Sequence, residues 1–578
     1  MFAPILGGRS HSFSLMPMPQ TTTHSSPSLT SPAPSSSRLA LGLVALAVVI
    51  TIGLKLITAD RPIARDVMLY TVIGHEMFEG RELYTDLFEH KPPLFLTFFG
   101  VANLIAGYGK PAILLLNLAC ALATLTGIYS AAKHLGKSPW AGAFAALSWA
   151  LVSNDVNMHA HQPMPECFIN ACIAWAFALF LKLDSKKIHM GLCLVIGTLL
   201  MIASQVKQPV VLLAGLWSLV HLFSGTVEPG ERKRRILQII AIGSVGAVTW
   251  AGMFIYFIAD GRGKMFNDAL FTYNKYYAGF EDPNGGFIYG LKVMWWNFNN
   301  GMLPRRLFPS LLLMMLPLFL ASLFAAHLGL RRGAFRSWAM WTMYFVGTFL
   351  IVTSPGRGYP HYYLIYLPVF IAGGAGLFAA LDQKYPQLTA SRMKYGVAAV
   401  SLAALAVSCV YQLTSDQTAW SRPGFGAHYT TVERLSATID AALLPEESLY
   451  VWDYQPAFYV LPQRKPPAGV FYNVHAMKGP LVEELTGRVM RMLESKRPEV
   501  IIIHEDELEK MNDAAAKLHP VYEWIRSHAK AVALPDAAPF VVYVRTGGPL
   551  EKRMASGLVK WNWLPVGPDG GKKSDGSR

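Results

Sequence analysis

Charge is what this 578-residue sequence has least of. Only 15% of its residues are Asp, Glu, Lys or Arg, where a soluble globular chain carries about a quarter. So little charge cannot form a water-facing shell around a chain that is 52% hydrophobic, and apolar runs of membrane-spanning length recur along it. Cysteine is equally sparse. Cys120, Cys167, Cys172, Cys193 and Cys409 all lie in apolar stretches, with neither metal-finger spacing nor a soluble loop to staple. They read as packing residues and leave the redox compartment unread. Paired half-repeats of the kind that build many transporters are lacking too. The formal net charge of +14 does not argue for nucleic acid, because much of the Lys and Arg lies in short loops between apolar runs, where it sets orientation.

What is present is a polytopic pattern. Residues 1–38 are rich in Ser, Thr and Pro without apolar periodicity, and read as a disordered cytoplasmic tail. The first span is Leu39 to Thr58. Further apolar segments fall at about 110–132, 139–154, 166–183, 189–204, 208–224, 236–258, 307–329, 337–354, 362–381 and 396–413, giving about 11 transmembrane helices. Alternate loops hold the basic clusters, among them Lys133 and Lys137, Arg232 to Arg235, and Arg331, Arg332 and Arg336. By the positive-inside rule these loops are cytoplasmic, with the N-terminus inside and the C-terminal region outside. Pro92 to Gly107 is too short to fit this alternation and reads as a re-entrant or interfacial helix.

Several polar segments then converge on the outer face: residues 65–91, 154–166 (NDVNMHAHQPMPE), 205–208 (QVKQ), the long loop 259–306 and 355–363 (PGRGYPHYY). In the first, Leu69, Val72, Ile73 and Met77 have helical spacing up to Gly80, which predicts an amphipathic helix lying on the membrane with Asp66 at its start. After residue 413 the composition becomes ordinary. The runs at 449–454, 500–504 and 540–544 read as buried strands of a small α/β extracytoplasmic domain over 414–550, followed by a flexible tail over 551–578, and nothing in it reads as an independent active site. The expected fold class is thus an α-helical polytopic membrane protein with interfacial helices and a small C-terminal α/β domain.

The stretch RDVMLYTVIGHEMFEGRELYTDLFEHKPPL (65–94) resembles the first outer loop of GT-C glycosyltransferases, specifically the family 39-like group of protein mannosyltransferases and aminoarabinose transferases. The matching positions are Asp66 after the first span, then Gly80, Tyr84 and Asp86, then His90, Lys91, Pro92, Pro93 and Leu94; Lys207 and the GRGYPHYY segment extend the likeness over roughly 39–413. One departure matters: many relatives carry a second acid after the first, and here the residue is Val67.

The resemblance implies transfer of a sugar from a polyprenyl-phosphate donor to a lipid, glycan or protein acceptor at the extracytoplasmic face, with a bacterial inner or plasma membrane as the setting. Asp66 would be the general base and the reaction would invert the anomeric centre. Polyprenyl phosphate is already a good leaving group, so no second carboxylate need protonate it. Lys91, Lys207, Arg357 and His361 are candidates for holding the donor phosphate. Arg65, Tyr70, Tyr84, Asp86, Glu166, Tyr359 and Tyr362 are candidates for the sugar and acceptor pocket. Some relatives use a divalent metal ion, for which His90 and Glu166 supply ligand atoms, though no compact zinc spacing is present. On residue type alone other readings stay open: Asp66 as a helix cap or partner of Arg65, Lys91 snorkelling to the interface, Glu166 pairing with Lys207, and the tyrosines as an interfacial belt. From another functional class, a flippase for lipid-linked saccharides is the alternative.

Overall fold

The computed structural model describes residues 34–183, 187–224, 229–279, 286–299, 316–331, 334–379, 388–414, 427–511 and 518–564. The segments read as tails lie outside these residues up to 33 and from 565 onward. The apolar runs become helices. They are α1 (Pro34–Ile57), α2 (Arg65–Phe78), α3 (Pro93–Ala106), α4 (Lys110–Leu135), α5 (Pro139–Val152), α6 (Pro165–Lys182), α7 (Met190–Val206), α8 (Val211–Phe223) and α9 (Pro229–Ala259), followed by Leu316–Arg331, Phe335–Thr353, Tyr366–Ala375 and Leu388–Thr414. Six helices among the described residues are long and apolar enough to cross a membrane, and five shorter apolar helices accompany them. The helices join around large buried side chains such as Trp217, Phe177 and Tyr344, with the Phe177 and Tyr344 ring centroids 5.0 Å apart.

Two sequence expectations change. The helix expected to lie on the membrane, α2, is buried along most of its circumference: besides Leu69, Val72 and Ile73, the side chains of Tyr70, Thr71 and Glu76 are covered. The reason is packing from two sides, by α3 and by the short helix Ala457–Val460 of the C-terminal region. The α2–α3 crossing is close because both helices place glycine there; a Cβ on Gly74 would lie 2.6 Å from the Gly100 backbone nitrogen. α3 has 14 residues, about 21 Å of helix against about 30 Å of hydrocarbon. The loop expected over 259–306 contains helical turns at Gly263–Asn267, Asp268–Thr272 and Tyr273–Tyr277 and the helix Gly286–Asn299.

The C-terminal region forms a five-stranded sheet from β1 (Leu449–Trp452), β2 (Val500–His504), β3 (Ala529–Ala533), β4 (Phe540–Arg545) and β5 (Asn562–Trp563), in the order β1-β2-β4-β3-β5. β1 and β2 are parallel, which requires the intervening crossover through helix Val482–Lys496; the remaining pairs are antiparallel. β5 pairs with β3 beyond residue 550, so the sheet draws on the stretch read as a tail. The sheet domain clasps the 81–91 segment. Phe88 N–H donates to the Gly469 carbonyl at 2.8 Å, Arg81 donates to the Pro466 carbonyl at 2.9 Å, and Arg488 donates to the Thr85 carbonyl at 2.8 Å. Contact at Gly469 admits no side chain: a Cβ there would lie 1.8 Å from the Asp86 carbonyl oxygen.

Candidate active site at the helix ends

Proline sets where the site lies. A proline at the first helical turn has no N–H to leave unsatisfied and a φ already suited to the helix. α3 starts at Pro93, α6 at Pro165, and the 3-10 turn leading into Tyr366–Ala375 at Pro360. The chain just before or at each start carries the polar side chains: Lys91 before α3, Glu166 in the first turn of α6, and His361 beside Pro360. Lys207 occupies the break between α7 and the turn Gln208–Val210, which contains Pro209. These ends meet at one cavity of about 540 Å³, lined also by Asp66 and Arg65 from the start of α2.

The start of α2 is fixed from outside. Its N-cap position is Ala64, which has no side chain to cap the helix. Buried Gln162 ties that position down instead, its Oε1 taking the Ala64 N–H at 2.7 Å. The loop carrying Gln162 is itself tied down: Lys55 Nζ donates to the Ala160 carbonyl at 2.6 Å, and Asn117 donates to the His161 carbonyl at 2.6 Å. Much of the polar stretch 154–162 is therefore a bracket that positions Asp66.

Within the cavity, Lys207 forms an ion pair with Glu166, whose side chain is fully buried, and its ammonium lies 3.4 Å from the centre of the Tyr362 ring. Such a cation over an aromatic face is held by the ring quadrupole. The Lys91 ammonium makes no hydrogen bond or ion pair among the described residues, while Tyr84 anchors the Lys91 backbone by donating to its carbonyl at 2.8 Å. His361 Nδ1 is buried without a hydrogen-bond partner among the described residues. Beside Lys91 sits a third carboxylate of the cavity, Glu89, 1% exposed. Burial pushes the Glu89 carboxyl up to about 7, against the opposing pull of Lys91.

Asp66 accepts a hydrogen bond from the Tyr454 hydroxyl, which comes from the chain after β1. Withdrawal from water raises the Asp66 carboxyl above the ordinary carboxylate range, while the Tyr454 hydrogen bond and the nearby Lys91 and Arg65 pull it back down. With the Gln455 amide turned to present its oxygen, Arg65 donates to it through Nε at 3.1 Å and a terminal nitrogen at 2.9 Å. Tyr454 stacks on Tyr472 with centroids 4.2 Å apart, and Tyr472 meets His475 edge-on at 4.8 Å.

Of the residues singled out from sequence, the cavity brings together Arg65, Asp66, Tyr70, His90, Lys91, Glu166, Lys207, Tyr359, His361 and Tyr362. Tyr84, Asp86 and Arg357 do not line it. Tyr84 is fully buried beneath the loop, Asp86 is exposed and accepts the Glu82 N–H at 3.0 Å, and Arg357 lies behind the wall, donating to the Tyr277 carbonyl at 2.9 Å. Sequence reasoning missed Glu89 as well as Tyr454, Tyr472 and His475. Glu89 stands within the EHKPPL motif; for the others the available signal was the tyrosine and glutamine closing the β1 run LYVWDYQ. Among the described residues no group of three or more His, Cys, Asp or Glu side chains could hold a metal ion, and Glu166 is engaged by Lys207. The residues present do not fit a resident metal.

No protein-family model matches the sequence, and no curated protein matches it by sequence. Solved structures do match. The crystal structure of ArnT from Cupriavidus metallidurans bound to undecaprenyl phosphate aligns with a TM-score of 0.57 at 16% identity, covering 89% of this chain and 99% of ArnT. Its apo form aligns with a TM-score of 0.54 at 17% identity, covering 87% and 98%. The archaeal oligosaccharyltransferase AglB from Archaeoglobus fulgidus, in complex with an inhibitory peptide and a dolichol-phosphate, aligns with a TM-score of 0.52 at 12% identity, covering 88% of this chain and 74% of AglB. ArnT is an aminoarabinose transferase, and both proteins are GT-C superfamily members. Over most of its length, the chain therefore has the fold of the GT-C membrane glycosyltransferases.

Proposed function

We propose that the protein is an integral-membrane glycosyltransferase that moves a sugar from a polyprenyl-phosphate donor to an acceptor hydroxyl or amine at the extracytoplasmic face. The observation that carries this reading is the single cavity shared by a carboxylate, Asp66, and the cations Lys91 and Lys207. Asp66 takes the acceptor proton as the acceptor attacks the anomeric carbon. The bond from that carbon to the phosphate oxygen breaks, and its electron pair leaves with the polyprenyl phosphate. Lys91, whose ammonium makes no hydrogen bond or ion pair among the described residues, and Lys207 stabilise the charge gathering on that oxygen, and His361 Nδ1, without a hydrogen-bond partner among those residues, is available to donate a further hydrogen bond. Attack from the side opposite the phosphate inverts the anomeric centre. The N-termini of α2 and α6 at the cavity wall favour an anion there.

In this reading the chain has about 11 spans, the basic loops are cytoplasmic, and the sheet domain with its boundaries near 414 and 550 lies outside, in a bacterial inner or plasma membrane. A cavity at the helix ends that gathers Asp66, Lys91, Glu166 and Lys207 suits chemistry at the interface better than carriage through the middle of the bilayer. The likeness to proteins solved with undecaprenyl phosphate and dolichol-phosphate supports a lipid-linked donor. The test is transfer in proteoliposomes from a panel of radiolabelled polyprenyl-phosphate sugars. Wild type is expected to form a new glycosidic bond and Asp66→Asn to bind the donor without transferring it. Full turnover by Asp66→Asn overturns the assignment of the base, and lipid movement without a new bond favours a flippase.

A further inference from the structure

The C-terminal sheet domain contributes more than a cover. Two adjacent residues after β1 grip the first two residues of α2: the Tyr454 hydroxyl donates to Asp66, and Gln455 receives the Arg65 guanidinium. These residues leave the carboxyl end of β1, one of the two parallel strands, where loops of α/β domains commonly meet their ligands. Tyr454 is held from behind by its stack on Tyr472 at 4.2 Å, and Tyr472 is held by His475 at 4.8 Å. The other Asp66 oxygen has no hydrogen-bond partner among the described residues, and Asp66 lines the cavity.

We infer that Tyr454 is a positioning residue for the Asp66 carboxylate, fixing one oxygen so that the other is aimed at the acceptor proton, and that the sheet domain is thereby a working part of the active site. The inference rests on the reading of Asp66 as the base. A hydroxyl that donates to a carboxylate favours its ionised form, so the same contact keeps the base deprotonated within a buried site. Other charges act on Asp66: Arg65 and Lys91 favour ionisation, and Glu89 and Glu166 oppose it, while Lys207 adds a further cation. The tyrosines Tyr70, Tyr277, Tyr362 and Tyr472 also face it. All of these stay in place when only the Tyr454 hydroxyl is removed.

The experiment uses the full chain in proteoliposomes, comparing wild type, Tyr454→Phe and Asp66→Asn. Phenylalanine keeps the ring stack, so folding is retained, as unchanged binding of undecaprenyl phosphate checks. The Asp66 carboxyl is followed by infrared difference titration against Asp66→Asn, or in the Tyr454→Phe background against the double variant; this isolates it from Glu89, whose carboxyl is also pushed up by burial. Tyr454→Phe is expected to move the Asp66 midpoint, and with it the acid limb of kcat/KM, upward by about one pH unit. Coincident titrations of wild type and Tyr454→Phe overturn the inference. If Asp66→Asn is inactive while the Tyr454→Phe profile overlies wild type, the role of Tyr454 alone fails; if Asp66→Asn transfers sugar normally, the base reading fails with it.

Discussion

Replacing Lys207 by methionine separates two roles that the structure assigns to one side chain. Lys207 is only 8% exposed and pairs with Glu166, which is 0% exposed. Removing the ammonium leaves that carboxylate buried without its cation, and breaking a buried pair from one side costs about 3–5 kcal/mol. Replacing both partners by apolar side chains of similar volume is often close to neutral. Lys207→Met is therefore expected to lower thermal stability in detergent, and Lys207→Met with Glu166→Met to recover most of it. The buried free cysteines provide the assay, because a thiol-reactive dye labels them as the protein opens. Affinity for undecaprenyl phosphate should behave differently. A hydrogen bond to a charged group contributes about 1.5–3 kcal/mol, so both variants should bind about 10- to 150-fold more weakly. Recovery of both stability and affinity in the double variant would refute phosphate binding by Lys207, and unchanged stability in the single variant would refute the ion pair's role in holding the site together.

Further substitutions test other parts of the site. Glu89 carries a pH dependence whose sign follows from its raised carboxyl: the folded state holds the proton between the ordinary glutamate value of 4.5 and about 7, so its contribution is present below about 4.5 and is lost as pH rises through 7, by about 3 kcal/mol in all. Denaturant titrations of wild type and Glu89→Gln should therefore converge at low pH and separate above pH 7, with the variant the more stable; parallel curves would count against it. Gln162→Leu removes the acceptor that holds the Ala64 N–H ahead of α2 and should cost about 1 kcal/mol and lower kcat more than KM, whereas Gln162→Glu, which keeps the acceptor oxygen, should restore turnover. Gly469→Ala forces a Cβ against the Asp86 carbonyl and should destabilise the clasp by about 1–3 kcal/mol, read as faster proteolysis between the sheet domain and the bundle; wild-type protease resistance would contradict the close approach.

The helical part of the fold was legible because hydrophobic length is a local property, and because proline marks helix starts at 93, 165 and 360 within the chain itself. The alternation of basic loops put the segments carrying Asp66, Lys91, Lys207 and His361 on one face, and the resemblance in 65–94 made them readable as one group. α2 shows where local reading stops. Its spacing suggests a half-buried helix, but the cover over its other face comes from residues near 457, almost four hundred positions away. Tyr454 was beyond reach for the same reason: no pattern around LYVWDYQ records that a domain will fold back onto the start of α2. Tyr84 and Asp86 belong to the motif 80–94, yet hold the loop rather than line the cavity. A motif shows which residues keep company, and packing decides which of them reach the space where chemistry occurs.

The account depends on the donor phosphate entering the cavity between Lys91, Lys207 and Asp66. Electron microscopy of the full chain in lipid nanodiscs with undecaprenyl phosphate tests this most directly. The expected result is a phosphate within hydrogen-bonding reach of the Lys91 and Lys207 ammonium groups, with the prenyl chain running from the cavity into the lipid. A phosphate bound elsewhere on the bundle, with these two lysines unengaged, would contradict the account.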